Sequence, residues 1–376
     1  MEDVRIPANG VVLRPHHEPD IDRVLEQCRD PLTQQWTTVP SPYTRAHAEQ
    51  FVRERVVEGW RRADYLALAV ADPASDVFLG TVDLRPDGQG AAEIGFGLHP
   101  DARGRGVMTA AVRAVAGWAF CERSTGGLGL EVLFWRAQVG NWPSRRVAWR
   151  SGFHIEGRVR LLHAARSRRY DSWLGSLLPE DPREPTLPWY DVPTLHSDHC
   201  VLRPMRTSDV GAVVEACSDP VTRRFIATLP APYTASDALA YIQSREEEHA
   251  SGRGIYWAVA DPVSDRCIGA YAMMSVDRVN GTAELGYWIH PDARGRGVAT
   301  AATRLAVRHA AIPEEDGGLG LRRLVLYAAA SNVASHKVAE RAGFVPFSRA
   351  RAAERLGDGS YDDLIGFELS NPVFLG

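Results

Sequence analysis

HPDARGRGV runs from His99 to Val107, and the same nine residues return from His290 to Val298. One such stretch is an ordinary basic turn. An identical copy 191 positions later (290 − 99 = 191) points to a second domain. Paired landmarks on either side give that domain its extent: VLRP at Val12 and Val201, DP at Asp30 and Asp219, PYT at Pro42 and Pro232, ADP at Ala71 and Ala260, GGLGL at Gly126 and Gly317. Further on, NWPSRRVAWRSGF from Asn141 matches NVASHKVAERAGF from Asn332, and YDSWLGSLL from Tyr170 matches YDDLIGFEL from Tyr361. The offset drifts only from 189 (201 − 12) to 191 (361 − 170). That period is far beyond the roughly 20–50 residues of solenoid repeats, so the chain is two domains and not an array. Between them lies PEDPREPTLPWYDVPTLHSD, from Pro179 to Asp198, whose five prolines exclude a continuous helix and favour an extended connector. The expected division is 1–178, a Pro-rich connector 179–197, and 198–376.

A length of 376 residues suits two globular units, each large enough to bury its own core. Hydrophobic residues at 45% and charged residues at 24% are ordinary for a soluble chain. No apolar run approaches the ~20 residues of a membrane helix. The opening MEDVRIPANGVVLRP has no basic region followed by an apolar stretch, so a cytoplasmic protein without membrane association is expected. None of the five cysteines sits in a Cys-x-x-Cys pair. Cys28 and Cys217 fall at equivalent helical places, as free thiols in a reducing compartment would. His196, His199 and Cys200 lack a second pair of ligands, so no metal is expected. A net charge of −4 argues against nucleic acid as a partner. Of 43 basic residues only Lys337 is lysine, which with the many alanines reads as the bias of a GC-rich, bacterial genome.

Each half follows the same order. A strand (GVVLRP; CVLRP) leads through the DP and PYT turns into helices, and further strands end in AAEIGFGLHP and TAELGYWIHP. The RGRG loop then opens a helix, VMTAAVRAVAGWAF or VATAATRLAVRHAA. Another strand (EVLFWRAQ; RLVLYAAA) reaches an Asn, and a helix and closing strands follow. Strands interspersed with helices make each half α/β or α+β around a mixed sheet.

The strand–loop–helix has a chemistry of its own. Glycine permits a sharp turn and close approach of backbone to a ligand. The first N–H groups of a helix lack intrahelical partners and lie at its positive end, an arrangement that binds phosphate. Arg103, Gly104, Arg105, Gly106, Val107, Met108 and Thr109 form this loop in the first half, and Arg294, Gly295, Arg296, Gly297, Val298, Ala299 and Thr300 form it in the second. The arginines add positive charge, and the threonines offer hydroxyls. A phosphate cradle and a solvated turn that merely caps a helix both fit. Neither G-x-x-x-x-G-K-[ST] nor G-x-G-x-x-G within a βαβ unit is present.

At these residues the chain resembles the GNAT superfamily of acyl-CoA-dependent N-acetyltransferases, whose cofactor loop reads Arg/Gln-x-x-Gly-x-Gly/Ala. Arg294, Gly297 and Ala299 match it; Arg103 and Gly106 match, with Met108 where a small residue is usual. Asn141, Ser144, Gly152 and Phe153, repeated as Asn332, Ser335, Gly343 and Phe344, follow the downstream pattern. Many relatives carry a tyrosine seven residues after the Asn; Ala148 and Ala339 stand there. The Asn-x-x-Ser form resembles the ribosomal-protein N-terminal acetyltransferases and their small-molecule relatives. The resemblance implies two tandem domains, each with a mixed, mostly antiparallel twisted sheet flanked by helices.

It also implies attack of a neutral amine on the thioester of acetyl-CoA, the co-substrate. Backbone N–H groups near Leu98 and Ile289 would polarise the carbonyl, and Asn141 and Asn332 would hydrogen-bond the cofactor. Glu93 and Glu284, acidic residues inside apolar strands, are the candidate bases; partly buried carboxylates titrate high. An edge carboxylate paired with arginine is the plainer alternative. Ser144 and Ser335 would face the sulfur, or cap a helix. Trp36 and Phe225 line an acceptor pocket or belong to the core. The acceptor is expected to be a small-molecule or peptide amine, with the two halves pairing intramolecularly in place of a homodimer. Two working enzymes, one catalytic and one degenerate half, or a non-catalytic acyl-CoA sensor remain the three readings of the duplication. The second half follows the family more closely, at Ala299 and at Glu340 where the first has Trp149.

Overall fold

In a computed structural model, which describes residues 4–371, the chain divides into two compact units, with the boundary in sequence between Thr186 and Leu187. The Pro-rich connector is shared between them. Arg183 stacks over Phe120 of unit 1, whereas Tyr190 is buried in the core of unit 2 and Pro193 accepts the Trp257 indole N–H through its carbonyl (2.9 Å). Among the described residues no helix is long and apolar enough to cross a membrane.

Unit 1 comprises β1 (Ile6–Ala8), β2 (Val11–Arg14), α1 (Ile21–Arg29), α2 (Pro31–Trp36), α3 (Arg45–Gln50), α4 (Val56–Arg62), β3 (Leu66–Ala71), β4 (Phe78–Pro86), β5 (Ala91–Leu98), α5 (Val107–Phe120), β6 (Val132–Gln138), α6 (Trp142–Arg150), β7 (His154–Ala165) and β8 (Arg168–Leu177). Unit 2 repeats it with β9 (Leu195–His196), β10 (Val201–Arg203), α7 (Val210–Ser218), α8 (Pro220–Phe225), α9 (Ala235–Ala250), β11 (Gly254–Ala260), β12 (Cys267–Asp277), β13 (Thr282–Ile289), α10 (Val298–Ala311), β14 (Arg323–Ala329), α11 (Val333–Arg341), β15 (Val345–Arg355) and β16 (Tyr361–Ser370). The sheet orders are β1-β2-β3-β4-β5-β6-β8-β7 and β9-β10-β11-β12-β13-β14-β16-β15. Every pairing is antiparallel except β5 with β6 and β13 with β14. A mixed, mostly antiparallel sheet is therefore built twice.

Successive strand residues point to opposite faces, so each sheet needs a helical layer on both sides. On one face Leu66, Leu68 and Val70 pack with Val112, Val115 and Ala119 of α5. On the other, Ala69 and Phe78 meet Ile21, Val24 and Cys28 of α1. Unit 2 does the same with α10 on one face and α7 and α9 in a second cluster. The VLRP motif carries a buried ion pair in each half. Arg14 makes a bidentate bond to Asp20 (2.8 and 2.9 Å), and Arg203 makes the same bond to Asp209 (2.9 Å twice).

Two offsets in the repeat have structural causes. The repeat runs at 190 at Thr44 and Thr234 but at 189 at Ala71 and Ala260, so unit 1 holds one extra residue between them. A π turn at Phe51–Arg55, between α3 and α4, absorbs it, where unit 2 has the uninterrupted α9. The letter match of Tyr170-Asp171 with Tyr361-Asp362 is corrected by the hydrogen bonds. Asp171 binds Arg158 and the Leu161 N–H; the equivalent bonds, to Arg349 and the Ala352 N–H, are made by Asp363. The β15–β16 hairpin is one residue longer than β7–β8, and the offset reaches 192 (363 − 171).

Candidate active site

The site begins where two parallel strands part. Pairing of β5 with β6 covers Ala91↔Val132 to Ile94↔Trp135 and stops, although β5 continues to Leu98. In unit 2 it stops at Leu285↔Leu326 while β13 runs to Ile289. Backbone direction alternates along a strand. Since the His99 N–H bonds Leu79 O on β4, and the register from Gly80↔Leu98 to Pro86↔Ala92 has no break, the Leu98 and Phe96 N–H groups face the gap. The His290 N–H bonds Ile268 O, and by the same alternation Ile289 and Tyr287 present theirs. In each unit the strands thus part into a gap that these backbone donors face.

Past the strand tip the His-Pro-Asp turn is locked to the helical layer. Buried His99 lies 3.0 Å from Glu26 through Nε2, and His290 3.1 Å from Glu215. The loop then opens α5 at Gly106 (φ 75°) and α10 at Gly297 (φ 79°), both left-handed N-caps. A side chain at either would be strained by backbone alone, and open space lies in front of both. The first helical bonds accepted are Ala110 N to Gly106 O and Ala301 N to Gly297 O, so the N–H groups of Val107 to Thr109 and Val298 to Thr300 lack intrahelical partners. Met108 is buried in the core, its bulk turned into the apolar cluster; Ala299 at the equivalent place is half-buried.

The loop's first arginine does not contribute a free charge, a correction to the sequence expectation. The Arg103 guanidinium binds Asp30 (2.6 Å) and Thr33 (3.1 Å), and Arg294 binds Asp219 (2.6 Å) and Thr222 (2.8 Å). The Arg103 bond holds the Asp30 carboxyl below the usual range. Burial alone would raise Asp219, but Arg294 and Thr222 outweigh it and hold that carboxyl low as well. Arg294 Nε also donates to Ile289 O (3.2 Å), fixing the strand tip. Arg105 and Arg296 are exposed beside the loop.

Across the gap, Asn141 and Asn332 are the N-caps of α6 and α11. Their Oδ1 atoms accept the N–H of Ser144 (3.3 Å) and Ser335 (3.2 Å). The cap role considered for the serines therefore belongs to the asparagines, whose Nδ2 has no partner among the described residues. Each serine hydroxyl receives a donor that sequence reasoning missed. Trp135 Nε1 reaches Ser144 Oγ (3.1 Å), and Tyr287 Oη reaches Ser335 Oγ (3.3 Å). Burial raises the Tyr287 phenol to about 12, so it keeps its proton at neutral pH. Tyr287 also lies flat on Tyr271, ring centres 5.6 Å apart. Ala148 and Ala339 are fully buried, closing the place of the usual tyrosine.

The strand carboxylates differ between the halves. Glu93 is gripped through both oxygens, by Arg85 (2.7 Å) and Arg136 (3.2 Å), and Arg85 also meets the buried Asp83 (2.8 Å). Register places Ala272, Met274 and Tyr327 of unit 2 at the positions of Asp83, Arg85 and Arg136. Half-buried Glu284 has no hydrogen bond or ion pair among the described residues, and burial raises its carboxyl. In unit 1 the edge-carboxylate reading is the one that the contacts match.

A cavity of about 1180 Å³ in unit 1 brings Glu93, Leu98, Arg103, Met108, Asn141 and Ser144 to one space. Trp36, the π-turn residues Phe51, Glu54 and Arg55, and His163 also line it. Trp36 is therefore a lining residue, as one of its two sequence readings had it.

A family model described as an acetyltransferase (GNAT) domain matches residues 11–154 and again 199–345. The ribosomal-protein-serine acetyltransferase of Escherichia coli is 34% identical over 100 residues, 27% of this chain and 52% of the relative. The Bacillus subtilis protein YdaF, named as a ribosomal N-acetyltransferase, is 37% identical over 101 residues, with the same coverages of 27% and 52%. The chain spans about half the length of these curated relatives. Among solved structures, RimL, a ribosomal L7/L12 alpha-N-protein acetyltransferase in complex with coenzyme A, aligns with 47% of this chain and 98% of its own, at 20% identity and a TM-score of 0.43.

Proposed function

We propose a function for a chain that, through its two matched domains, belongs to the GNAT acetyltransferase family: it transfers an acetyl group from acetyl-CoA to a primary amine by direct attack on the thioester. The observation that carries this reading is the juxtaposition, in each unit, of parted strands with free N–H groups and a glycine-opened helix N-terminus. Such a helix end suits a pyrophosphate. The backbone of Arg103 to Thr109, and of Arg294 to Thr300, would cradle it, and the Asn141 and Asn332 amides would hold the adjoining arm. The Leu98 or Ile289 N–H would polarise the thioester carbonyl as negative charge develops on oxygen.

In unit 2, Glu284 takes the proton of the attacking amine, directly or through a water. Its carboxylate has no partner among the described residues and its affinity for a proton is raised by burial, as a base for this step requires. Ser335 and Ser144 stand by the departing sulfur. Glu93 is not assigned the same task, because Arg85 and Arg136 each hold one of its two oxygens in an ion pair. Unit 2 is the half best equipped for transfer, and unit 1 binds the same donor with a differently charged acceptor side. A non-catalytic sensor would have no use for the free Glu284. The names of the relatives favour a protein amine as acceptor, and a protein N-terminus, in a cytoplasmic bacterial enzyme, is the finer reading proposed here.

Calorimetric titration of the full chain with acetyl-CoA tests the reading, with mass spectrometry of a synthetic peptide beginning with serine. Two equivalents bound and an increment of one acetyl group are expected. Absence of acetyl-CoA binding would overturn it.

A further inference from the structure

The two serines are served by different residues on different strands, and the difference is reciprocal. In unit 1 the donor is Trp135 on β6, and β5 carries Phe96. In unit 2 the donor is Tyr287 on β13, and β14 carries Leu326. Register makes Phe96 the counterpart of Tyr287 and Trp135 the counterpart of Leu326. Unit 1 lacks the hydroxyl that unit 2 carries and unit 2 lacks the indole that unit 1 carries, yet in both a single hydrogen arrives at serine Oγ.

We infer that Trp135 and Tyr287 are positioning residues for acetyl transfer: each fills a lone pair of the serine hydroxyl, so that the serine's own hydrogen is directed at the sulfur of bound CoA. A serine oxygen has one hydrogen and two acceptor sites. The indole N–H can only donate, so at Ser144 the incoming bond uses an acceptor site and leaves the serine hydrogen to be given away. The phenol of Tyr287 donates to Ser335 likewise, and a hydroxyl that accepts a hydrogen bond becomes a better donor itself. Among the described residues nothing accepts the hydrogen of either serine, and both serines are half-buried. Asn141 and Asn332 fix the serine backbone from the other side. This inference rests on the acetyl-CoA reading above. In that reaction the N–C bond forms and the C–S bond breaks. The electron pair leaves with sulfur, and the amine proton goes to Glu284 or solvent. The serine hydrogen bond stabilises the thiolate until solvent protonates it. No second proton source is needed, and the absence of tyrosine at Ala148 and Ala339 is accounted for.

The test follows ionisation of the thiol of free CoA bound to the full chain, by thiolate absorbance across pH. A hydrogen-bonded thiolate is favoured, so about tenfold more of it is expected at a given pH than for CoA in solution. Tyr287→Phe, which copies the Phe96 of unit 1, is expected to abolish the gain for half of the bound CoA. Ser335→Ala should do the same, with the double variant no worse than Ser335→Ala alone. Trp135→Leu removes the other half, and adding Phe96→Tyr restores it. If CoA binds and Tyr287→Phe titrates as the parent does, the positioning role is overturned while the cofactor reading stands. If the parent binds no CoA, the cofactor reading itself falls and this inference falls with it.

Discussion

The Arg103 guanidinium lies 2.6 Å from Asp30 Oδ2, tying the RGRG loop to the corner between α1 and α2. An arginine that first reads as a phosphate ligand is thereby an anchor. Asp30→Ala and Arg103→Ala are expected to weaken CoA binding in unit 1 by similar factors, with the double variant little worse than either. Calorimetry on the three proteins decides it. An Arg103→Ala effect about tenfold larger than that of Asp30→Ala would mean direct contact with the ligand.

The left-handed caps make a sharper prediction. Val at position 106 or 297 must adopt φ near 75–79°, at roughly 1–2 kcal/mol for an L-residue before any clash with a ligand. Gly106→Val and Gly297→Val should each lower the stoichiometry of acetyl-CoA binding from two to one, and the double variant should bind none. Retention of two sites in either single variant would show that the ligand sits elsewhere.

Charge at the strand carboxylates predicts unequal pH behaviour. Burial raises Glu284, so its basic form is lost earlier on acidification, and transfer by unit 2 should fall as pH drops through that raised value. Glu284→Gln should cut the rate by about 10²–10³ and flatten that acid limb. Glu93→Gln should leave the limb in place. Asp83→Ala with Arg85→Met and Arg136→Tyr reproduces the surroundings of Glu284 around Glu93, and a second acid limb should then appear. Peptide acetylation rates from pH 5 to 9 read all three.

Unit 2 should also lose stability in acid. Burial, with the charge of Arg245 nearby, lowers His249 to about 4, and its Nε2 accepts the Tyr256 N–H (3.0 Å). The neutral ring is bound in the folded state, while the unfolded chain takes a proton near 6.5. The stabilisation is thus complete above about pH 6.5 and is lost progressively as pH falls toward 4, by about 3 kcal/mol at most. His249→Gln keeps an acceptor without titrating. Urea melts at pH 7, 5.5 and 4 should show a weaker pH dependence in that variant than in the parent.

The helices that follow the RGRG loops were legible because local signals agree there. Gly106 and Gly297 stop the preceding turn, and the apolar period then runs unbroken to Phe120 and Ala311, the bounds read from the sequence. What surrounds the loops was not legible, because it comes from far along the chain. Asp30 and Asp219 were visible only as members of turn motifs, yet each is the partner of an arginine more than 70 residues away. The donors to Ser144 and Ser335 looked like ordinary strand aromatics; only pairing of β5 with β6, and of β13 with β14, shows which ring faces which helix. The double grip on Glu93 could have been suspected from Arg85, since a tight antiparallel turn sets residues eight apart across from each other. Arg136, on a parallel neighbour reached through α5, gave no such hint.

The π turn at Phe51–Arg55 has an evolutionary corollary. A single inserted codon in a helix ordinarily rotates everything downstream by about 100° and scrambles its buried face. Here the insertion is confined to one widened turn, so α4 keeps Val56 and Gly59 buried while the wall of the cavity acquires Glu54 and Arg55. The two copies therefore differ by one residue in the wall, while the helix that follows keeps its buried face. Removing one residue from that turn is therefore a one-step route toward the unbroken helix of unit 2, and a practical handle for re-targeting one half without disturbing its twin.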